Sequence, residues 1–360
     1  MKYTIKKTGA HPLRARIADE LAKELHKHGY TLASMEEDLN FILNLTTFED
    51  PPAVRRKIQS EFVLSMAVLT HQVEDLRFLC YNTLIKTLSN MVICIEPKAE
   101  GTAKIHCITP EAGFYHFPYT PQKLYEVIAP VIHSKMVINN RIFKDLPSHC
   151  LNSPVIEEMK HYGGVLDSLG VLPTPFPLKE VLSPENIEHL YQLFNIKGLS
   201  YGNISARDHF PEMGPLTFWM TARGVNKAQL KGAGEDIMLV TGYDAQDGKI
   251  LSHIPPEGDP LIRVSVDAIE HVLIYNTFPE VGAILHVHAW IKDVPSTMQN
   301  YPCGTLELAE EVVALLKTTD HPTHAAIGLK NHGLTITGDS LGEIFSRIEG
   351  KLLREVPMMA

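Results

Sequence analysis

Three histidines offer the most definite chemistry in this sequence. His286 and His288 stand in AILHVHAW, and His332 stands in LKNHGLTITG. Side chains alternate along an extended segment, so residues i and i+2 share a face and two imidazoles can meet one divalent ion without backbone strain. Catalytic zinc sites take three protein ligands and keep one position open. His332 is the candidate third: it lies between two apolar strand-like runs, beside a Gly333 that would permit a tight turn. The alternative is plain, since a chain with 18 histidines produces such a pair by chance. His253, His321 and His324 read as surface or supporting groups.

Other polar residues surround this pattern. In RVSVDAIEH (263–271), Ser265 reads as a helix N-cap, and Asp267 falls in the first turn, where the macrodipole favours a carboxylate. Asp267 and His271 are four apart and share a face. They form either a capping pair or a carboxylate that moves a proton next to a metal-polarised carbonyl. Two turns could hold an anion through amides and hydroxyls: SYGNISARD, with Gly202, Asn203 and Ser205, and MTARGVNKAQL, with Thr221, Arg223 and Gly224. Each also reads as an ordinary surface turn. Further upstream, His106, Glu111 and His116 in HCITPEAGFYHF read more simply as a packed β-edge than as a site.

The elements that must position these groups are legible in part. The sharpest break is 170–184, GVLPTPFPLKEVLSP, where four prolines defeat both helix and central strand. The expected organisation is an α+β domain at 1–169, a Pro-rich linker at 170–184, and an α/β layered domain at 185–360. In the first domain, Leu13–His28 and Pro121–Lys135 have helical spacing. Asp38–Thr46 and Glu61–Thr70 resemble buried strands, and Asn90–Glu96 with Lys104–Thr109 suggests a hairpin. In the second, helices are expected at Pro184–Leu193, Ser265–Tyr275, Thr305–Lys317 and Leu341–Leu353. Strands are expected at Gly202–Asp208, Thr217–Thr221, Asp236–Gly242, Val281–Trp290, Ala325–Lys330 and Leu334–Thr337.

Bulk properties narrow the function classes. A chain of 360 residues exceeds the size at which one core keeps growing, so two domains are expected. A net charge of −9 with no compact basic run argues against a nucleic-acid binder. The five cysteines are odd in number and include no CxxC pair, so neither a disulfide framework nor a zinc ribbon is indicated. No apolar leader opens the sequence, and its longest apolar stretches, such as Phe62–Leu69, fall short of a membrane span. A cytoplasmic, soluble protein with no membrane partner is the expectation.

Taken in order, GNIS (202–205), TARG (221–224), SVD (265–267), HVH (286–288) and NHG (331–333) resemble the class II aldolase/adducin family. Its pattern runs G-N-[IV]-S, T-P-S-G, S-S-[ED], H-x-H and a late N-H-G, and the nineteen-residue step from Asp267 to His286 agrees with it. The resemblance covers about residues 180–360. It implies a mainly antiparallel sheet with helices on its faces, assembled as a homo-oligomer, usually a cyclic tetramer. It implies that His286, His288 and His332 hold Zn²⁺, or Mn²⁺, Co²⁺ or Fe²⁺ with the same ligands, and that the ion polarises a carbonyl and stabilises an enediolate. Asp267 would be ligand or base. Gly202, Asn203, Ser205, Thr221, Gly224 and Ser265 would bind the substrate phosphate.

Departures from the pattern are informative. Aldolases of the family usually have Glu where this chain has Asp267, and Asp there looks more like L-ribulose-5-phosphate 4-epimerase. Arg223 replaces the serine of T-P-S-G and could hold an anion through its guanidinium. Val266 removes one hydroxyl. Only fourteen residues separate His288 from Cys303, which counts against epimerisation, and no tyrosine follows His332, leaving Tyr301 as the conceivable proton donor. The expected activity is a metal-dependent aldolase-type lyase on a small anionic carbonyl substrate such as a sugar phosphate. The alternatives are an epimerase or dehydratase on the same site, and a non-catalytic adducin-like assembly domain. The first domain resembles no family.

Overall fold

The computed structural model describes residues 1–57, 61–111, 113–173, 176, 178–181, 183–185, 187–188 and 200–360. The chain forms two compact units. One comprises Met1–Lys135 with Gln299–Pro302 and Pro357–Ala360, and the other Met136–Met298 with Cys303–Val356.

The first unit is built on a seven-stranded sheet. Its elements are β1 (Lys2–Lys7), α1 (Pro12–Lys27), β2 (Thr31–Leu32), β3 (Phe41–Leu45), β4 (Phe62–Val68), α2 (Leu76–Thr87), β5 (Met91–Pro97), β6 (Ala103–Ile108), β7 (Phe114–Pro118) and α3 (Pro121–Ile132). The strand order is β2-β1-β3-β4-β5-β6-β7. Pairing is parallel from β2 to β5 and antiparallel beyond. Every residue of β3 and β4 is buried, as the apolar runs FILNL and FVLSMAV require in a parallel sheet covered on both faces. The β5–β6 hairpin lies where the turn-rich PKAEGTA stretch puts it. Helix α2 was not evident beforehand, because its apolar residues are spread round the helix rather than along one stripe.

The second unit contains β8 (Asn139–Phe143), α4 (Pro154–Ser168), β9 (Asn203–Arg207), β10 (Phe218–Thr221), β11 (Ile237–Asp244), β12 (Lys249–His253), α5 (Ala268–Thr277), β13 (Ala283–Val287), α6 (Leu306–Leu316), β14 (Ala326–Leu329), β15 (Gly333–Gly338) and α7 (Leu341–Ile348). Its sheet order is β14-β15-β13-β9-β10-β11-β12-β8. The pairings are antiparallel except β12–β8, which is parallel. The expected mixed α/β class is what the chain adopts.

The domain boundary expected at residues 170–184 needs correction. The second unit begins at Met136. Strand β8 hydrogen-bonds to β12, and Gly163 of α4 lies against the backbone of Lys227. Both segments are therefore integral to the second sheet domain. The signals for α4 were present: Ser153 caps the Val155 amide, Pro154 opens the helix, and Ile156, Met159, Gly163 and Leu166 form its buried stripe. The helix expected over Pro184–Leu193 lies largely outside the described residues. Among those described, no helix is long and apolar enough to cross a membrane.

Candidate metal centre

Strand β13 is inside the sheet, between β15 and β9, and its register sets His286 opposite Thr335 on one side and Asn203 on the other. His288 follows directly after the strand. His332 comes from the turn between β14 and β15, which Asn331 makes possible by adopting the left-handed conformation (φ 58°). Gly333 has a different role from the one its position suggested. A Cβ there would collide with the Val287 carbonyl, so glycine lets β15 approach the HVH segment closely. On the other flank, Gly202 (φ +73°) lies against the His286 carbonyl in the same way.

The three rings converge. Ring centroids are 5.1 Å apart for His286–His288 and 4.7 Å for each of the other two pairs. One ligand nitrogen from each ring lies within 4.8 Å of the others. The Nε2 atoms of His288 and His332 are 3.2 Å apart, close to the roughly 3.3 Å between two nitrogens bound about 2.0–2.1 Å from one tetrahedral ion. Nδ1 of His286 is 3.0 Å from the Leu334 carbonyl. The proton is thereby placed on Nδ1, and the Nε2 lone pair is left for a ligand. Burial, followed by the field of His286, lowers the His332 pKa to about 3, while Asp267 opposes the shift. The ring is held neutral, the form that binds metal. On these observations the residues fit a divalent ion.

The segments expected to bind an anion are hydrogen-bonded neighbours. The Ile204 amide donates to Thr221 Oγ1 over 3.3 Å. The amides of Ser265 and Arg223 donate to the carbonyls of Thr221 and Arg263 over 3.1 and 2.8 Å. Gly224 follows in the same turn. Arg223 is half-buried and donates to the Ile138 carbonyl at 3.0 Å, while its Nε finds no partner. Burial depresses its pKa to about 10, with Cys303 and Asp267 opposing, so the guanidinium stays charged.

Two expectations change here. Ser265 is not the N-cap of α5; Asp267 occupies that position, without capping through its side chain. Its Oδ2 instead accepts from Asn203 Nδ2 at 2.7 Å. Ser205 does not face a ligand, because its hydroxyl is buried at 2.7 Å from His271 Nδ1 and 2.9 Å from the Tyr275 hydroxyl, tying β9 to α5. The side chains of Asp267 and His271 each bond β9 rather than one another, and the two residues meet only through the backbone, where the His271 amide donates to the Asp267 carbonyl over 3.3 Å. Tyr301 belongs to the Gln299–Pro302 stretch of the first unit. In the first unit, His106 pairs with Glu96 at 2.8 Å and lies opposite His116 in the β6–β7 hairpin at the sheet edge.

Three residues of this region escaped sequence reasoning. The Tyr201 ring lies against His288 with centroids 4.0 Å apart. Lys227 is 3% exposed and donates through Nζ to the carbonyl and hydroxyl of Ser200 at 2.8 and 3.0 Å. Burial pulls its pKa down to about 7, with Asp267 opposing. Glu270 accepts from the Thr335 hydroxyl, and burial, reinforced by Asp267, pushes it up to about 8. Lys227 and Glu270 carried no signal, because charged residues in a helix or after a turn read as surface.

Comparison with known proteins agrees with the motif order. Residues 186–290 match the family model of the Class II Aldolase and Adducin N-terminal domain. The resemblance expected for the C-terminal part is borne out over that segment, and the N-terminal region has no family match. The methylthioribulose-1-phosphate dehydratase of Leptospira biflexa is 27% identical over 126 residues, 35% of this chain and 52% of that protein. That of Xanthomonas campestris pv. campestris is 34% identical over 79 residues, 22% of this chain and 30% of that protein. The chain thus spans about half or less of the length of these relatives. Among solved structures, YgbL from Klebsiella pneumoniae aligns over 57% of this chain and 86% of its own at 20% identity and a TM-score of 0.34. An aldolase II superfamily protein from Pseudomonas syringae aligns over 56% and 75% at 18% identity and a TM-score of 0.31.

Proposed function

We propose that this chain is a divalent-metal-dependent lyase acting on a sugar phosphate, with loss of water as the leading reaction and aldol cleavage as the second reading. The observation that carries the proposal is the convergence of His286, His288 and His332, with ligand nitrogens within 4.8 Å of one another. The activity for which the relatives are named favours dehydration, since those proteins are dehydratases of a sugar phosphate. The family itself supports the aldol reading.

His286, His288 and His332 would hold the ion, Zn²⁺ or another divalent metal of similar preference. When bound, it supplies Lewis acidity toward a carbonyl oxygen, worth several kcal/mol of charge stabilisation. The chain's own residues do the rest. Asp267, fixed at Oδ2 by Asn203, presents Oδ1 to take the proton from the carbon next to the carbonyl. In dehydration the hydroxyl on the following carbon then leaves as water, taking up the proton that Asp267 has accepted. In aldol cleavage Asp267 takes the proton of that hydroxyl, and the carbon–carbon bond breaks. Arg223, with the Gly202 and Gly224 ends of the two turns, would anchor the phosphate. Assembly as a homo-oligomer is part of the same proposal.

The test is to load the purified protein with zinc, manganese or cobalt, offer a panel of ketose phosphates including methylthioribulose 1-phosphate, and read products by mass. A product lighter by one water supports dehydration, two fragments support aldol cleavage, and an isomer of equal mass identifies an epimerase. His288→Ala should lose both metal and turnover. Stoichiometric metal retained in that variant would contradict the assignment, and a wild-type site that stays empty after loading would leave a non-catalytic assembly domain.

A further inference from the structure

Beyond this histidine centre, a second group of metal-ligating side chains lies in the same unit at the opposite end of β9 from Asn203. Two short helical turns face each other there. One carries His149 and Cys150 (Ser148–Asn152), and the other carries Glu212 (Pro211–Met213). His149 Nε2 is 2.7 Å from Glu212 Oε1 and 3.6 Å from Cys150 Sγ. One ligand atom from each residue lies within 4.8 Å of the others. Among the described residues these are the only two such groups.

We propose that His149, Cys150 and Glu212 form a second metal site, selective for a divalent ion of borderline softness such as Zn²⁺. Nitrogen, sulfur and oxygen donors in one cluster match that ion better than Mg²⁺ or Ca²⁺, which take oxygen ligands. The exposed His149 and Glu212 give an ion access from solvent, and the buried Cys150 anchors the inner side. Asp208 adds to the favourable field. It is held in place by Ser153 Oγ and by Trp219 Nε1, the latter at 2.9 Å, and its charge reaches the Cys150 thiol. Burial first, and then Glu212 and Asp208, raise the thiol pKa. The same carboxylates stabilise a bound cation. On binding, the Cys150 S–H gives its proton to solvent as the sulfur–metal bond forms, with no change of oxidation state. His149 exchanges its contact with Glu212 for a shared ion.

Cobalt(II) is the probe, because thiolate ligation gives an intense near-ultraviolet charge-transfer absorption that imidazole and carboxylate ligands do not. The histidine centre contains no sulfur, so this band reports the second site alone. Titrating the full chain should develop the band, and Cys150→Ser should abolish it while cobalt still binds the histidine centre. In His288→Ala the band should persist, so failure of the function proposed above is read separately. His149→Ala removes a ligand at an exposed position where folding is not at stake. It should weaken the affinity read from the band by more than the about 10–100-fold that follows loss of a group merely orienting a ligand. No band in the fully loaded protein overturns the proposal. So does a band that survives Cys150→Ser, since the thiolate would then be another cysteine, or an affinity unchanged in His149→Ala.

Discussion

Asn203 Nδ2 donates to Asp267 Oδ2 over 2.7 Å, joining the first residue of β9 to the residue from which α5 starts. Both side chains are buried, so this bond fixes the orientation of the carboxylate proposed to transfer the proton. Replacing Asn203 by Ala leaves a buried charged acceptor without its donor. The expected loss is about 1–3 kcal/mol of stability, measured by denaturant unfolding, together with a fall in turnover. Asn203→Asp should be worse, because two carboxylates would then face each other. A fully stable, fully active Asn203→Ala variant would remove Asp267 from the proposed role.

Glu270 supplies a pH signature. Its carboxyl is raised from 4.5 to about 8 by burial and the nearby Asp267. Between those values the folded chain holds a proton that the unfolded chain has lost, so this residue makes stability fall as pH rises through that window. In Glu270→Gln the fall between pH 5 and 8 should be smaller than in wild type. Melting temperatures across this range provide the check, and parallel curves would refute it.

Lys227 should act in the opposite sense. Its ammonium is lowered from 10.5 to about 7 by burial. Between those values the unfolded chain binds the extra proton, and stability rises with pH. Lys227→Met should remove that alkaline gain, even though it also loses the bonds to Ser200. An unaltered rise in unfolding free energy from pH 7 to 10 would show that Lys227 is not its source.

Adjacent glycines in α4 should respond with opposite sign. A Cβ at Gly163 would overlap the Lys227 carbonyl, whereas one at Gly164 meets nothing within 4 Å. Gly163→Ala should cost about 1–3 kcal/mol through overpacking. Gly164→Ala should add about 0.5–1 kcal/mol by restricting the unfolded chain. Chemical denaturation of the two variants decides, and equal effects would mean that α4 does not pack on the 227–229 turn as described.

Much of this was legible locally. Alternation makes neighbours of His286 and His288, and the ordered GNIS, TARG, SVD, HVH and NHG segments resemble one family. The apolar runs of β3 and β4 announced buried strands, and the polar turn at 98–102 announced a hairpin. These features depend on residues close in the chain, whose spacing alone sets which side they face.

Other features exist only because distant segments meet. The third imidazole reaches the pair through the β13–β15 register and a left-handed Asn331, and spacing can suggest such a meeting without specifying it. Ser205 looked like a ligand-binding hydroxyl until α5 covered it, and Ser265 looked like a cap until β10's end claimed its amide. Glu270 and Lys227 read as surface charges in sequence; burial, which no local pattern records, makes them titrate far from their ordinary values. Prolines at 170–184 suggested a boundary, but β8 and α4 had already joined the second sheet, because strand pairing is decided by long-range hydrogen bonding rather than by where the chain bends.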